Sequence, residues 1–353
     1  MHRNRYLVCL FVSLLILMVE FSAHAFTLKD SDTILTSFNS AFYYQAGTNG
    51  YFKDTQAGGL PHFWERAEEI ECVIDAYEWK SNAVCRMQIT HLLNGFLTTY
   101  GPAWGDSNIY NDDIMWAVIA FARGGQDIGE SNYCVIARKN FDACYARAWD
   151  SQLGGGLYWT TANASKNACV NGPAAIAACL LYQMSGDTNY LDKARNIYSW
   201  ERAVLFNPKS GVVYDNIATN GVISRWSSTY NQGTFIGEAN LLEQTNDAIL
   251  AANFTMRRLT TNGILPEYGI AGNNSGFNAI FCRWMTKFIK SHNLQRSYEP
   301  WLQLNAAAAW KMRRSVDNLS WCQWRHPSPP GSNFHSWDCI SSYEILQAVD
   351  ASQ

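Results

Sequence analysis

PAAIAACLLYQMSGDTNYLDKARNIYSWERAVLF (residues 173–206) decides what kind of fold this chain adopts. Its first half is apolar and rich in alanine, the strongest helix former. Pro173 suits the first turn of a helix, where its missing N–H is not needed, and this helix is expected to run to Ser185. Gly186-Asp187-Thr188-Asn189 reads as a turn. A second helix is expected over 190–206, where Tyr190, Ala194, Ile197, Tyr198 and Leu205 recur at helical spacing on one broad side. The segment is therefore a helical hairpin.

The same pattern extends in both directions. A second hairpin is expected over 234–244 and 247–259. Further helices are expected over 31–44, 71–100 (one long run or two pieces), 112–123, 132–149, 277–290, 299–313 and 337–349. Strand alternation is rare. Small residues cluster in AAIAACLL and NAAAAW, where they let helices approach closely. Between hairpins lie longer loops of Gly, Asn and aromatic residues. About a dozen helices in hairpins can close a double ring, with most of these loops at one end. Nothing in the composition marks a linker, and Pro327 to Pro330 reads as one rigid loop.

The first 25 residues read as a secretory leader. Arg3 and Arg5 precede an apolar run from Leu7 to Val19, and Ala23-His24-Ala25 is a small-x-small cleavage site. That leaves residues 26–353 as one expected domain in a secreted, extracellular protein. The leader is short for a permanent span, which needs about 20 apolar residues. No later stretch is apolar enough, so no stable membrane anchor is expected. The net charge is −3, with no basic block, which argues against nucleic acid. A monomer is expected.

Of ten cysteines, Cys9 lies in the leader. In an oxidising compartment most of the others are expected to pair, with Cys134–Cys144 and Cys72–Cys85 the local candidates. Sequons at Asn163, Asn253, Asn273 and Asn318 are potential glycan sites. The seven histidines form no metal-binding spacing, and neither a metal nor a cofactor is expected. The 14 Trp, 18 Tyr and 17 Phe exceed what an ordinary surface needs, and aromatic faces suit sugar rings.

The chemistry is concentrated in YNDDIMWAVIAFARG (residues 110–124). Asp112 and Asp113 stand side by side before a long apolar run. Asn111 or Asp112 can cap the helix, and acidic residues favour a helix start. Capping accounts for one aspartate better than for two, because adjacent charges repel. Glycoside hydrolysis offers a reason for both, since it needs a carboxylic acid and a carboxylate together. Retaining enzymes hold the two groups about 5–5.5 Å apart.

Polar and aromatic residues in the loops complete the candidate site. Asn167 and Asn171 precede the Pro173 helix, and Asn231 and Gln232 precede the next hairpin. Amides offer both donor and acceptor to neutral hydroxyls, and they also serve turns and caps. Glu238 is a candidate to contact sugar or assist the pair, with a cap or an ion pair as the alternative readings. Trp64, Trp159 and Trp226 are candidates to stack on sugar; Trp159 sits beside Gly154-Gly155-Gly156, where backbone can approach a ligand. Trp116, one turn beyond Asp112, either shields the pair or fills the core.

Four blocks in order resemble glycoside hydrolase family 76, the endo-α-1,6-mannanases. They are YNDDIMWAVIAFARG, the Gly154–Trp200 stretch containing KNACVNGPAAIAACLL, YNQGTFIGEANLLEQTND from Tyr230, and LPEYG...GFNAIFCRWM from Leu265. The resemblance implies an (α/α)6 barrel and cleavage of α-1,6-linked mannan or mannooligosaccharide with retention of configuration. It also implies that Asp112 is the nucleophile and Asp113 the acid/base. A wall transglycosylase of the same family and a non-catalytic mannan-binding protein are the alternatives. An epimerase or unsaturated-glycuronyl hydrolase on a similar barrel fits the leader and the aspartate pair less well.

Overall fold

The computed structural model describes residues 26–351. The expected leader and Cys9 fall outside them. Among the described residues are twelve α-helices: α1 Leu28–Phe42, α2 Phe63–Lys80, α3 Ala83–Tyr100, α4 Asn111–Ile128, α5 Ser131–Ala148, α6 Ala168–Ser185, α7 Thr188–Val204, α8 Thr229–Leu241, α9 Thr245–Phe254, α10 Phe277–Ser291, α11 Gln295–Lys311 and α12 Ser336–Ala348.

The even-numbered helices form an inner ring. Each packs on the next, and α12 closes on α2. The odd-numbered helices lie outside: α1 on α12, α3 on α2, α5 on α4, α7 on α6, α9 on α8 and α11 on α12. The fold is an (α/α)6 barrel. Burial follows from position. Every residue of α12 from Ser336 to Ala348 is buried, whereas α7 buries one stripe: Tyr190, Ala194, Ile197, Tyr198, Trp200 and Glu201. A helix hydrophobic all round belongs inside, and an amphipathic one belongs outside. The inner helices approach closely where side chains vanish: a Cβ on Gly233 of α8 would lie 2.7 Å from the Phe281 Cα of α10.

The short strands serve the loops. β1 (Tyr43–Ala46) and β2 (Asn49–Phe52) form an antiparallel hairpin. β3 (Ser165–Asn167) leads into α6. β4 (Phe206–Asn207) pairs with β5 (Val212–Val213), and β6 (Asn216–Ala218) lies between β3 and β7 (Ile223–Ser224).

Several expectations need correction. The run expected from residue 71 begins at Phe63 and breaks into α2 and α3 at Ser81, which adopts φ 49°. The start was hidden because ERAEEIEC reads as a polar surface, yet Glu65, Glu68, Glu69 and Glu71 are all buried. α8 begins at Thr229 rather than 234. Pro173 lies inside α6, not in its first turn, and offers no N–H to the Cys169 carbonyl one turn back.

The expected disulfides are absent: all nine cysteines among the described residues are free, and eight are buried. Cys134 and Cys144 share one helix, α5. Ten residues along a helix is roughly 15 Å, beyond the reach of about 7 Å between bridged Cα atoms. Cys72 instead accepts from Arg283 Nη2 at 3.2 Å. No helix among the described residues is long and apolar enough to cross a membrane.

Candidate active site

The N-termini of the inner helices meet at one end of the barrel. There they line a cavity of about 770 Å³. α2 contributes Phe63 and Trp64, α4 contributes Asp112, Asp113 and Trp116, α6 contributes Cys169, α8 contributes Tyr230 and α10 contributes Phe277. A helix N-terminus carries partial positive charge and free N–H groups. An end built from several of them favours anions and hydrogen-bond acceptors.

The N-cap of α4 is Tyr110, so neither aspartate caps the helix; both sit in its first turn. Asn111 is turned outward and anchors the helix start. Its Nδ2 donates to the Tyr158 carbonyl at 2.8 Å, and its Oδ1 accepts from Arg147 Nε at 2.7 Å. Asp112 Oδ2 accepts from Trp159 Nε1 at 2.9 Å and from the Cys169 thiol at 3.4 Å. Asp112 Oδ1 is buried with no partner among the described residues. Asp113 Oδ2 accepts from Asn108 Nδ2 at 2.9 Å.

Among the described residues neither carboxyl pairs with Lys or Arg; His62 acts only to reduce the rise at Asp113. Burial, then the charge of Asp113, pushes Asp112 up to about 8. Burial pushes Asp113 up to about 6. The two titrate as one system. Between these values the pair holds one proton, which favours the deeper Asp112.

A stapled loop presents Trp159. Lys166, fully buried, donates to Asp150 Oδ1 at 2.5 Å and to the Gln152 and Gly155 carbonyls at 2.7 Å. The glycine cluster here packs on protein rather than on a ligand. Gly156 has φ 85°, and a Cβ on it would lie 2.5 Å from the Trp200 ring.

The other candidates separate into two groups. Trp64, Trp159, Trp226 and Asn167 line the cavity. Trp159 and Trp226 are 38% and 46% exposed, enough ring face for a sugar. Asn171, Asn231, Gln232 and Glu238 lie behind the wall, fully buried. Asn171 clamps Leu157, its Oδ1 accepting from the amide at 2.8 Å and its Nδ2 donating to the carbonyl at 3.1 Å. Gln232 Oε1 accepts from the Val213 amide, and its Nε2 donates to the Gly211 and Ala251 carbonyls. Asn231 reaches the cavity only through Asp215, whose Oδ1 it meets at 3.3 Å. Glu238 sits eight residues beyond Tyr230, roughly 12 Å down the axis, with both oxygens unpartnered.

His62, Tyr110, Cys169, Asp215, Asn216, Tyr230, Asn273 and Phe277 line the cavity and were not singled out as site residues by sequence. Asp215 carries a raised value from burial, and its Asp-Asn step between two short strands is the one local signal that was available. Among the described residues no group of His, Cys, Asp and Glu is arranged to hold a metal ion.

An (α/α)6 barrel with an adjacent carboxyl pair at an aromatic cavity defines a glycoside hydrolase. More narrowly, the chain belongs to glycoside hydrolase family 76: the model for Glycosyl hydrolase family 76 matches residues 27–352. It is similar to Mannan endo-1,6-alpha-mannosidase DCW1 of Candida glabrata, at 26% identity over 320 residues covering 79% of this chain and 70% of that protein. Its fold matches the GH76A alpha-1,6-mannanase of Salegentibacter sp. HEL1_6 with TM-score 0.82 and 28% identity, over 91% of this chain and 98% of that one. A variant of that enzyme matches with TM-score 0.82 and 27% identity, over the same shares of both chains; it is inactivated by exchanging two consecutive aspartates for asparagine and binds alpha-1,6-mannotriose.

Proposed function

We propose that the protein is a retaining, endo-acting hydrolase of α-1,6-mannosidic linkages in mannan, secreted as a single catalytic domain over residues 26–353. The observation that carries this is the adjacent pair Asp112–Asp113 at the cavity, with Asp112 held at Oδ2 by two neutral donors. The relative inactivated at two consecutive aspartates and bound to alpha-1,6-mannotriose supports it.

Asp113 gives its proton to the glycosidic oxygen as Asp112 attacks the anomeric carbon. The bond to the leaving sugar breaks, and a mannosyl–Asp112 ester forms. Asp113, now a carboxylate, takes a proton from water; that water displaces Asp112 and restores both groups. This cycle needs the single proton on Asp113 when sugar is bound. The glycosidic oxygen accepts a hydrogen bond from protonated Asp113, which favours the proton there and leaves Asp112 as the anion. Trp64, Trp159 and Trp226 offer stacking faces, and Asp215 with Asn167 and Asn216 offers hydrogen bonds to hydroxyls.

The test is digestion of linear α-1,6-mannan. Shortened oligosaccharides are expected, released first as the α-anomer by NMR. β-anomeric products would overturn retention. Elongated chains would reassign the protein as a transglycosylase, and bound but uncut mannan would make it a binding protein.

A further inference from the structure

We infer that Cys169 is a positioning residue for the nucleophile, and that with Trp159 it fixes the orientation of the Asp112 carboxyl through Oδ2. This rests on Asp112 being the nucleophile. Three observations converge on it. First, the Cys169 thiol and the Trp159 indole both donate to the same oxygen, Oδ2. Second, the other oxygen, Oδ1, is buried with no partner among the described residues, so the carboxyl is held through Oδ2. Two donors on one oxygen fix the rotation of the carboxyl about its Cβ–Cγ bond. Third, Cys169 is held on its own account. It is the second residue of α6 and only 4% exposed. The Tyr230 hydroxyl lies beside its sulfur, and the Tyr230 ring stacks on Phe277 with centroids 3.8 Å apart.

The thiol is kept as a thiol. Burial and the neighbouring carboxyls of Asp112 and Asp215 push it well above its ordinary range. It therefore remains a neutral donor throughout the working range and does not compete with Asp112 as nucleophile. A hydroxyl would make a stronger bond; a thiol makes a weaker one that Asp112 can relax when the ester forms and its negative charge is spent. The titratable groups facing Asp112 are Asp113 on its own helix, Cys144 on α5, Cys169 on α6, Tyr230 on α8, and Asp215 from the loop before β6 by way of Cys169 and Tyr230.

The experiment compares C169A and C169S with wild type on linear α-1,6-mannan. C169A is expected to lower kcat about threefold to tenfold with KM unchanged, the effect of one weak hydrogen bond to a charged group. It is also expected to move the acidic limb of the kcat profile upward, since with substrate bound the proton sits on Asp113 and the Asp112 anion loses a donor. C169S is expected to restore both. Wild-type kcat and limb in C169A, or equal impairment of C169S and C169A, would overturn the assignment. A second readout needs no folded alanine variant. Above the upper value of the pair, where Asp112 is ionised, the S–H stretch isolated by subtracting the C169S infrared spectrum is expected at the low frequency of a thiol donating to a carboxylate. It is expected to rise in D112N. A band at the free-thiol frequency in wild type would also overturn it. Because this readout needs no turnover, it separates a failed Cys169 assignment from a failed assignment of the mannanase reaction.

Discussion

The mouth and the interior of this barrel both hold carboxylates away from water, yet they treat them in opposite ways. In the interior, α2 presents Glu68, Glu71 and Asp75 to two buried guanidinium groups. Arg123 Nη1 donates to Glu71 at 2.8 Å and Nη2 to Asp75 at 2.5 Å, while Arg283 donates to Asp75 at 2.5 Å and to Glu68. Burial works against the Asp75 anion, but Arg123, Arg283 and Lys287 outweigh it and hold its carboxyl well below the usual range; at Glu68, where Arg283 acts alone, burial wins and pushes the carboxyl up to about 8. At the mouth, Asp112 and Asp113 receive only neutral donors, and both rise. A buried carboxylate matched by a cation is spent on holding the helices together. One left unmatched keeps a proton it can exchange, and chemistry needs that. Glu201 and Glu238 are a third case: unmatched like the mouth pair, but sealed from the cavity, so their raised values bring cost without access.

The sharpest way to break this contrast is at the mouth. D112N and D113N are each expected to lose about 10²–10⁴-fold or more in kcat/KM on α-1,6-mannan, with thermal unfolding unchanged. Near-normal activity in either would remove the mechanism. The interior counterpart is Arg283→Met, which leaves Glu68 and Asp75 short of a cation. Breaking a buried pair from one side costs about 3–5 kcal/mol, so urea unfolding should move to markedly lower concentration. Unfolding like wild type would show that the interior cluster contributes nothing net.

Trp159→Phe keeps the aromatic face and removes the N–H on Asp112. About a tenfold loss in kcat is expected; a pure rise in KM would mean that Trp159 only binds sugar. In wild type, kcat/KM should follow a bell between about 6 and about 8, the values of the pair. Below the lower value both carboxyls are protonated and the nucleophile is lost. Above the upper value both are ionised and the acid is lost. A flat profile through this range would argue against a shared proton.

The smallest effect belongs to the sealed pair. The folded value of Glu238 lies well above its ordinary 4.5. Its favourable contribution is therefore complete below that ordinary value and is lost as pH rises through the folded one. Glu238→Gln can donate to Glu201, so it should stabilise by about 1 kcal/mol at pH 8 and not at pH 4. Equal effects at both would place the two groups out of contact.

Much of this architecture was legible locally. The helices from Asn111 onward carry clear periodicity, and the hairpin over 173–206 sits within two residues of α7's bounds. The start of α6 was misplaced because Pro173 was read as a beginning, while Ala168, Cys169 and Val170 already turn as helix before it. The start of α2 was missed because a run of glutamates signals a wet surface unless a cation lies elsewhere in the chain. The site divided for the same reason. Trp159 and Trp226 were found because they stand in loops, and Trp64 and Asn167 because they stand at helix starts, whereas Asn171 and Gln232 share the amide chemistry of Asn167 but spend it on backbone. Amides do not reveal locally whether they face a cavity or a carbonyl.

The sequence by itself determined the hairpins, the all-helical class and the adjacent carboxyls, since each depends on residues a few positions apart. Tertiary structure alone decided what those carboxyls meet. Arg283 reaches Glu68 across 215 positions, Trp159 reaches Asp112 across 47 and Cys169 across 57. Only closure of α12 on α2 brings the inner N-termini to one end. A carboxyl's charge state depends on the cations, donors and water around it in space, and helical periodicity records which face is buried but not what lies opposite.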